Sequence, residues 1–145
     1  MNILVTLNRG YLYQLCVMLS SLIKSNPDTE FDVYVMNASL TEADFEAVRQ
    51  RIPADKCRLI DIKTGENEFA DAPITDRYPR EMYFRIFAAK YLPESLDRIL
   101  YLDPDIVVLG SVKELYETRL DGYYYAAASH VNEVMRMINK IRLGM

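Results

Sequence analysis

Arg98-Ile-Leu-Tyr-Leu-Asp-Pro-Asp-Ile-Val-Val-Leu109 reads as a short apolar strand, a tight acidic turn and a second apolar strand. The turn is Asp103-Pro104-Asp105. Pro104 fixes its own φ and confines Asp103 to extended conformations, so the turn is stiff. Two hard carboxylate ligands one residue apart, at the end of a buried strand, suit Mg²⁺ or Mn²⁺, ions that share their coordination shell with phosphates. The competing reading is a solvated turn between two core strands.

Outward from this stretch, the chain alternates strand and helix. Asn2 to Leu7 is a nearly continuous apolar run, the pattern of a strand buried on both faces. After Asn8-Arg9-Gly10, a helical pattern runs from Tyr11 through Leu15, Leu19 and Ile23 to Asn26-Pro27. Phe31 to Met36 is the second strand. Ser39 and Glu42 form a capping-box pattern that opens a helix with Phe45, Val48 and Ile52, ending at Pro53. Arg58 to Ile62 is the third strand. This alternation predicts an α/β fold with a mostly parallel sheet and helices on both faces. Residues 64–78 read as a polar loop on the binding face, with Glu66, Glu68 and Asp71 solvated. Arg80 to Leu92 reads as one helix. Ser111 and Glu114 form a second capping-box pattern, Tyr123 to Ala128 a further strand with alternating faces, and Val131 to Leu143 a last helix.

Composition bounds the rest. The 145 residues are the size of one domain, with 50% hydrophobic and 26% charged residues. A net charge of −4 with no basic stripe argues against a nucleic-acid partner. Cys16 and Cys57 lie in apolar patterns at no metal or redox spacing, so they read as buried thiols of a cytoplasmic chain. The first residues enter a strand directly, without the charged region of a signal peptide, and no apolar run is long enough to span a bilayer.

In open parallel sheets, ligands sit beyond the carboxyl ends of the strands, where strand order reverses. Asn8-Arg9-Gly10-Tyr11 and Asp103-Pro104-Asp105 both fall there. The single glycine, Gly10, is neither the dinucleotide fingerprint nor a P-loop, which counts against NAD and ordinary ATPase chemistry.

Asn2-Ile-Leu-Val-Thr leading to Tyr11, Tyr83 followed by Arg85, Leu100-Tyr-Leu-Asp-Pro-Asp-Ile-Val-Val108 and Leu120-Asp121-Gly122 together resemble glycosyltransferase family 8. Those are retaining transferases of the GT-A fold that use nucleotide sugars. The resemblance covers essentially the whole chain as one nucleotide-sugar-binding domain, residues 1–145. It implies that Asp103 and Asp105 hold Mn²⁺ (or Mg²⁺) and the donor diphosphate, with Pro104 and Asp103 against the donor. It also implies that Thr6, Asn8, Gly10 and Tyr11 line the uridine site, and that Arg85 reaches the donor sugar or steadies the acidic turn. The donor would be a UDP-sugar and the acceptor a bacterial surface glycan or glycolipid.

Two departures stand out. The family usually has an acidic residue where this chain has Asn8, and often Asn where it has Gly10. His130, the single histidine, stands roughly where a further acidic residue is common, and reads as a surface-loop histidine. Family members also continue with sugar- and acceptor-contacting segments and a C-terminal His…Gly…Lys motif that is not in this sequence. The expectation is therefore the N-terminal portion of a transferase, with no identifiable general base and with peripheral membrane contact left to the missing part. An apolar face left open would favour a homo-oligomer. A non-catalytic nucleotide-binding or interaction module, truncated or decayed, is the alternative. A Mg²⁺-dependent phosphotransfer domain is a weaker one.

Overall fold

A computed structural model describes residues 1–53, 55–65, 68–69, 71–73, 80–128 and 137. The sheet has four strands: β1 (Asn2–Thr6), β2 (Phe31–Asn37), β3 (Cys57–Lys63) and β4 (Leu100–Tyr101). Their order is β3-β2-β1-β4 and every pairing is parallel. The chain steps outward from β1 to β2 to β3, then returns to place β4 on the other side of β1. Strand order therefore reverses between β1 and β4, and the crevice at their carboxyl ends is the switch point.

Both faces of the sheet are covered, as a parallel sheet requires. On one face lie α1 (Leu12–Ser25) and α2 (Glu42–Arg49). Leu15, Met18, Leu19 and Leu22 of α1 and Phe45 and Val48 of α2 pack with Ile3, Val5, Val33 and Val35. On the other face, α3 (Glu81–Phe84) brings Phe84 against Leu4, Tyr34 and Met36. Phe84 is fully buried and anchors this second layer.

Several elements differ from the sequence expectation, each for a tertiary reason. The cap of α2 is Thr41 with Asp44, in place of Ser39 with Glu42: the Thr41 side chain accepts from the Asp44 N–H and Asp44 accepts from the Thr41 N–H. Residues 37–40 are held to the sheet first, since Leu40 N–H donates to Asn37 Oδ1 at 2.8 Å and Lys63 Nζ donates to Leu40 O. Leu40 and Phe45 then both enter the core, the pair expected of a hydrophobic staple around a Thr41 cap.

The predicted helix over 80–92 is divided. After α3 the chain tightens into a 3₁₀ segment, Arg85–Lys90, in which Phe87 leaves helical geometry (φ −112°, ψ 22°). Its ring turns onto Phe69, with centroids 5.3 Å apart. Phe69, at φ +61°, carries the preceding loop into this aromatic cluster. Glu68 in that loop pairs with Lys90 at 2.6 Å and is not simply solvated.

Residues 106–109 do not form the predicted second strand. Ser21 Oγ accepts from Val108 N–H at 2.9 Å and Ser25 Oγ donates to Val108 O at 3.0 Å, so two hydroxyls one turn apart on α1 satisfy the backbone that a β ladder would have used. The next helix, α4 (Lys113–Tyr116), begins after Val112. Ser111 Oγ accepts from Lys113 N–H at 3.2 Å, but Glu114 completes no box. Tyr123, Tyr124 and Tyr125 are all exposed, and no strand holds them among the described residues, so no member of the trio is core. His130 and nearly all of the predicted helix from Val131 to Leu143 lie outside the described residues; Met137 within it is helical and exposed.

Candidate nucleotide-sugar site

The carboxyl ends of β1 and β4 open into a cleft of about 410 Å³. It is lined by Thr6, Leu7, Asn8 and Tyr11 from the β1 side, by Glu81, Met82 and Arg85 from the α3 side, and by Tyr101, Asp103, Pro104 and Asp105 after β4. Six sequence positions singled out as donor-binding (Thr6, Asn8, Tyr11, Arg85, Asp103 and Pro104), together with Asp105, thus face one cavity although they are up to 99 residues apart. Gly10 is not among the lining residues. It sits in the 3₁₀ turn Arg9–Tyr11, where its N–H donates to Asn8 Oδ1 at 2.9 Å. A Cβ at position 10 would lie 3.2 Å from that same oxygen, so Gly10 is the residue that lets Asn8 cap the turn. The described part of the 64–78 loop does not line the cleft but packs on the aromatic cluster beside α3, and the rest of this expected binding-face loop lies outside the described residues.

The turn after β1 is tied down at its outer edge. Arg9 Nε lies 2.9 Å from Asp44 Oδ1, the carboxylate that also closes the α2 cap. The Thr41 backbone N–H, and then its hydroxyl, hold the Asp44 carboxyl below the ordinary carboxylate range.

The acidic turn is organised around Tyr101, which sequence reasoning passed over. Its hydroxyl donates to Asp103 Oδ1 at 2.7 Å and lies 3.3 Å from Thr6 Oγ1. Burial, more than any neighbour, pushes the Tyr101 phenol up to about 12, so it is a proton donor at neutral pH. Arg85 lies with its guanidinium 4.7 Å over the Tyr101 ring and donates to the same Asp103 Oδ1 at 3.3 Å. Both donors converge on one oxygen, and Asp103 Oδ2 has no partner among the described residues. Asp105 is exposed on the far side of buried Pro104.

These carboxylates fit a hard divalent cation. One oxygen of Asp103 is fixed by protein donors and the other is open, while the buried proline holds Asp105 one residue away. Among the described residues no cluster of three or more His, Cys, Asp or Glu side chains forms a closed cage. Two carboxylates with open positions for phosphate oxygens and water are the donor set that Mg²⁺ and Mn²⁺ use in nucleotide sites.

The profile of Glycosyl transferase family 8 matches residues 2–142. The chain belongs to this family. It is 28% identical over 140 residues to a lipopolysaccharide 1,2-glucosyltransferase of Escherichia coli K12, covering 97% of this chain and 40% of the relative. A lipopolysaccharide 1,3-galactosyltransferase of Salmonella typhimurium is 28% identical over 120 residues, covering 80% of this chain and 34% of that protein. The crystal structure of the galactosyltransferase LgtC with donor and acceptor sugar analogues superposes with a TM-score of 0.84 at 28% identity, over 100% of this chain and 52% of LgtC. The family 8 chain thus has the GT-A architecture, and it spans about 40% of the length of the first of these relatives. No helix among its described residues is long and apolar enough to cross a membrane.

Proposed function

We propose that residues 1–145 are the donor-binding unit of a metal-dependent hexosyltransferase. It would move a sugar from a UDP-sugar to a glycan or glycolipid acceptor with retention of configuration. The observation that carries this reading is the convergence of Thr6, Asn8 and Tyr11 with Arg85, Asp103 and Asp105 in one cleft at the β1–β4 switch point. Asp103 and Asp105 hold Mn²⁺ or Mg²⁺. When bound, the cation stabilises negative charge on the leaving diphosphate as a Lewis acid. Arg85, free to exchange one Asp103 contact for a phosphate oxygen, adds a second positive group at that end. Tyr11 offers a ring face to the base. Similarity to lipopolysaccharide glucosyl- and galactosyltransferases favours a lipopolysaccharide-type acceptor, and a nucleotide-sugar donor favours a cytoplasmic site of action.

Calorimetric titration of UDP into the chain, with and without Mn²⁺ and alongside Asp105→Asn, tests the proposal. Binding that requires both the metal and Asp105 is the expected outcome. Metal-independent binding, or none, would refute a metal-dependent donor site in this chain.

A further inference from the structure

The cleft has two chemically distinct ends. At one, Arg85, Tyr101, Asp103 and Asp105 make a cation and diphosphate site. At the other, Asn8 and Tyr11 stand across from Glu81, whose carboxylate lies 3.5 Å from Asn8 Nδ2. Glu81 and Arg85 are four residues apart, so they point to the same side of their segment, separated by roughly 6 Å of helical rise. A carboxylate beside a diphosphate would be repelled, so the Glu81 end suits the neutral base. One lone pair of Asn8 Oδ1 accepts from Gly10 N–H at 2.9 Å, and this bond orients the side chain with its amide NH₂ toward Glu81. The Asn8 amide NH₂ is the donor on this wall. The acceptor on this wall is Glu81, a position that the sequence pattern did not single out.

We propose that Glu81 is the base-specificity residue of this site: its carboxylate accepts the imide N–H of a uracil-type base while Asn8 Nδ2 donates to the adjacent carbonyl. The inference rests on the proposed donor-site reading. It assigns the acceptor function to the α3 side of the cleft, where Asn8 is committed to capping its own turn. Neighbouring donor and acceptor groups 3.5 Å apart match an adjacent C=O and N–H on a pyrimidine edge. A hydrogen bond to a charged acceptor is among the stronger ones, and losing it costs roughly 10- to 100-fold in affinity.

The test compares UDP with UDP methylated at N3, each titrated calorimetrically with Mn²⁺ into the wild-type chain, Glu81→Ala and Glu81→Gln. Inorganic pyrophosphate with Mn²⁺, which has no base, reports whether each variant keeps its metal end folded. The wild type is expected to prefer UDP over the methylated analogue by roughly 10- to 100-fold. Glu81→Ala should bring the two ligands to within about twofold of each other, Glu81→Gln should fall between, and pyrophosphate binding should be unchanged in both. If Glu81→Ala binds pyrophosphate normally and still discriminates fully between the two nucleotides, the inference is wrong while the donor-site reading stands. If the wild type binds pyrophosphate and Mn²⁺ but shows no preference for UDP, uracil reading by Glu81 is likewise overturned. If it binds neither UDP nor pyrophosphate, both readings fall.

Discussion

Replacing Tyr101 by Phe should weaken cation binding without disturbing the fold of the acidic turn. The substitution removes one hydroxyl, donating at 2.7 Å to Asp103 Oδ1, and keeps the ring on which the Arg85 guanidinium lies at 4.7 Å. A hydrogen bond to a charged partner contributes about 1.5–3 kcal/mol. Groups that orient a metal ligand typically account for about 10- to 100-fold in metal affinity when removed. The two scales agree, since 1.4 kcal/mol is about a factor of ten. Arg85 would remain as the sole described donor to Oδ1, at the longer distance of 3.3 Å, and Asp103 would be freer to rotate its open oxygen away from Asp105. The assay is a Mn²⁺ titration followed by electron paramagnetic resonance, with thermal unfolding measured in parallel. A loss of roughly tenfold or more in Mn²⁺ affinity is expected. If Tyr101→Phe binds Mn²⁺ within twofold of wild type while Asp105→Asn does not bind it, Tyr101 does not orient the ligand and the argument from convergent donors fails.

Further consequences follow from the packing and the capping. Phe84→Ala empties a fully buried ring position between α3 and the sheet, and should lower stability by about 3–5 kcal/mol in urea unfolding; a loss below about 1 kcal/mol would mean that the second layer is not part of the cooperative core. Asp44 has its folded-state pKa lowered by the Thr41 N–H and hydroxyl, so its contribution is fully present above the unfolded value near 3.8 and is lost as pH falls through the lower folded value. Unfolding midpoints measured from about pH 5 down to about pH 3 should therefore decline less steeply in Asp44→Asn, and an unchanged slope would refute the assignment. Burial pushes the Cys57 thiol up to about 12 and raises that of Cys16, so neither should react with iodoacetamide in the folded chain near pH 8, whereas both should react in denaturant. Rapid labelling of the native chain would contradict their burial.

The sequence by itself determined the parts of this protein that depend on local pattern. Asn2 to Leu7 and Phe31 to Met36 are apolar enough to be buried strands, Arg58 to Ile62 is a shorter run with Arg58 and Asp61 exposed, and the periodicity from Leu12 to Ile23 is a helix packed on the sheet. The stiff Asp103-Pro104-Asp105 turn was legible because proline restricts backbone geometry wherever it stands. Most of the candidate cleft was legible too, because strand ends in a parallel sheet converge at a predictable edge.

Tertiary structure decided what depends on a partner distant in the chain. Ile106 to Leu109 has the composition of a strand, yet Ser21 and Ser25 of α1 take the hydrogen bonds of Val108, and no sequence period announces a hydroxyl 83 or more residues away. The cap of α2 lies at Thr41 in place of Ser39, where Asn37 and Lys63 hold the backbone of Leu40. The helix through Arg80 to Leu92 gave way at Phe87 to an aromatic contact with Phe69. The sequence pattern assigns no role to Tyr101 or Glu81. Only the β1–β4 pairing and the second layer over the sheet set Tyr101 between Thr6 and Arg85 and Glu81 across from Asn8, because a side chain's chemistry is set by its neighbours and those neighbours are chosen by the fold.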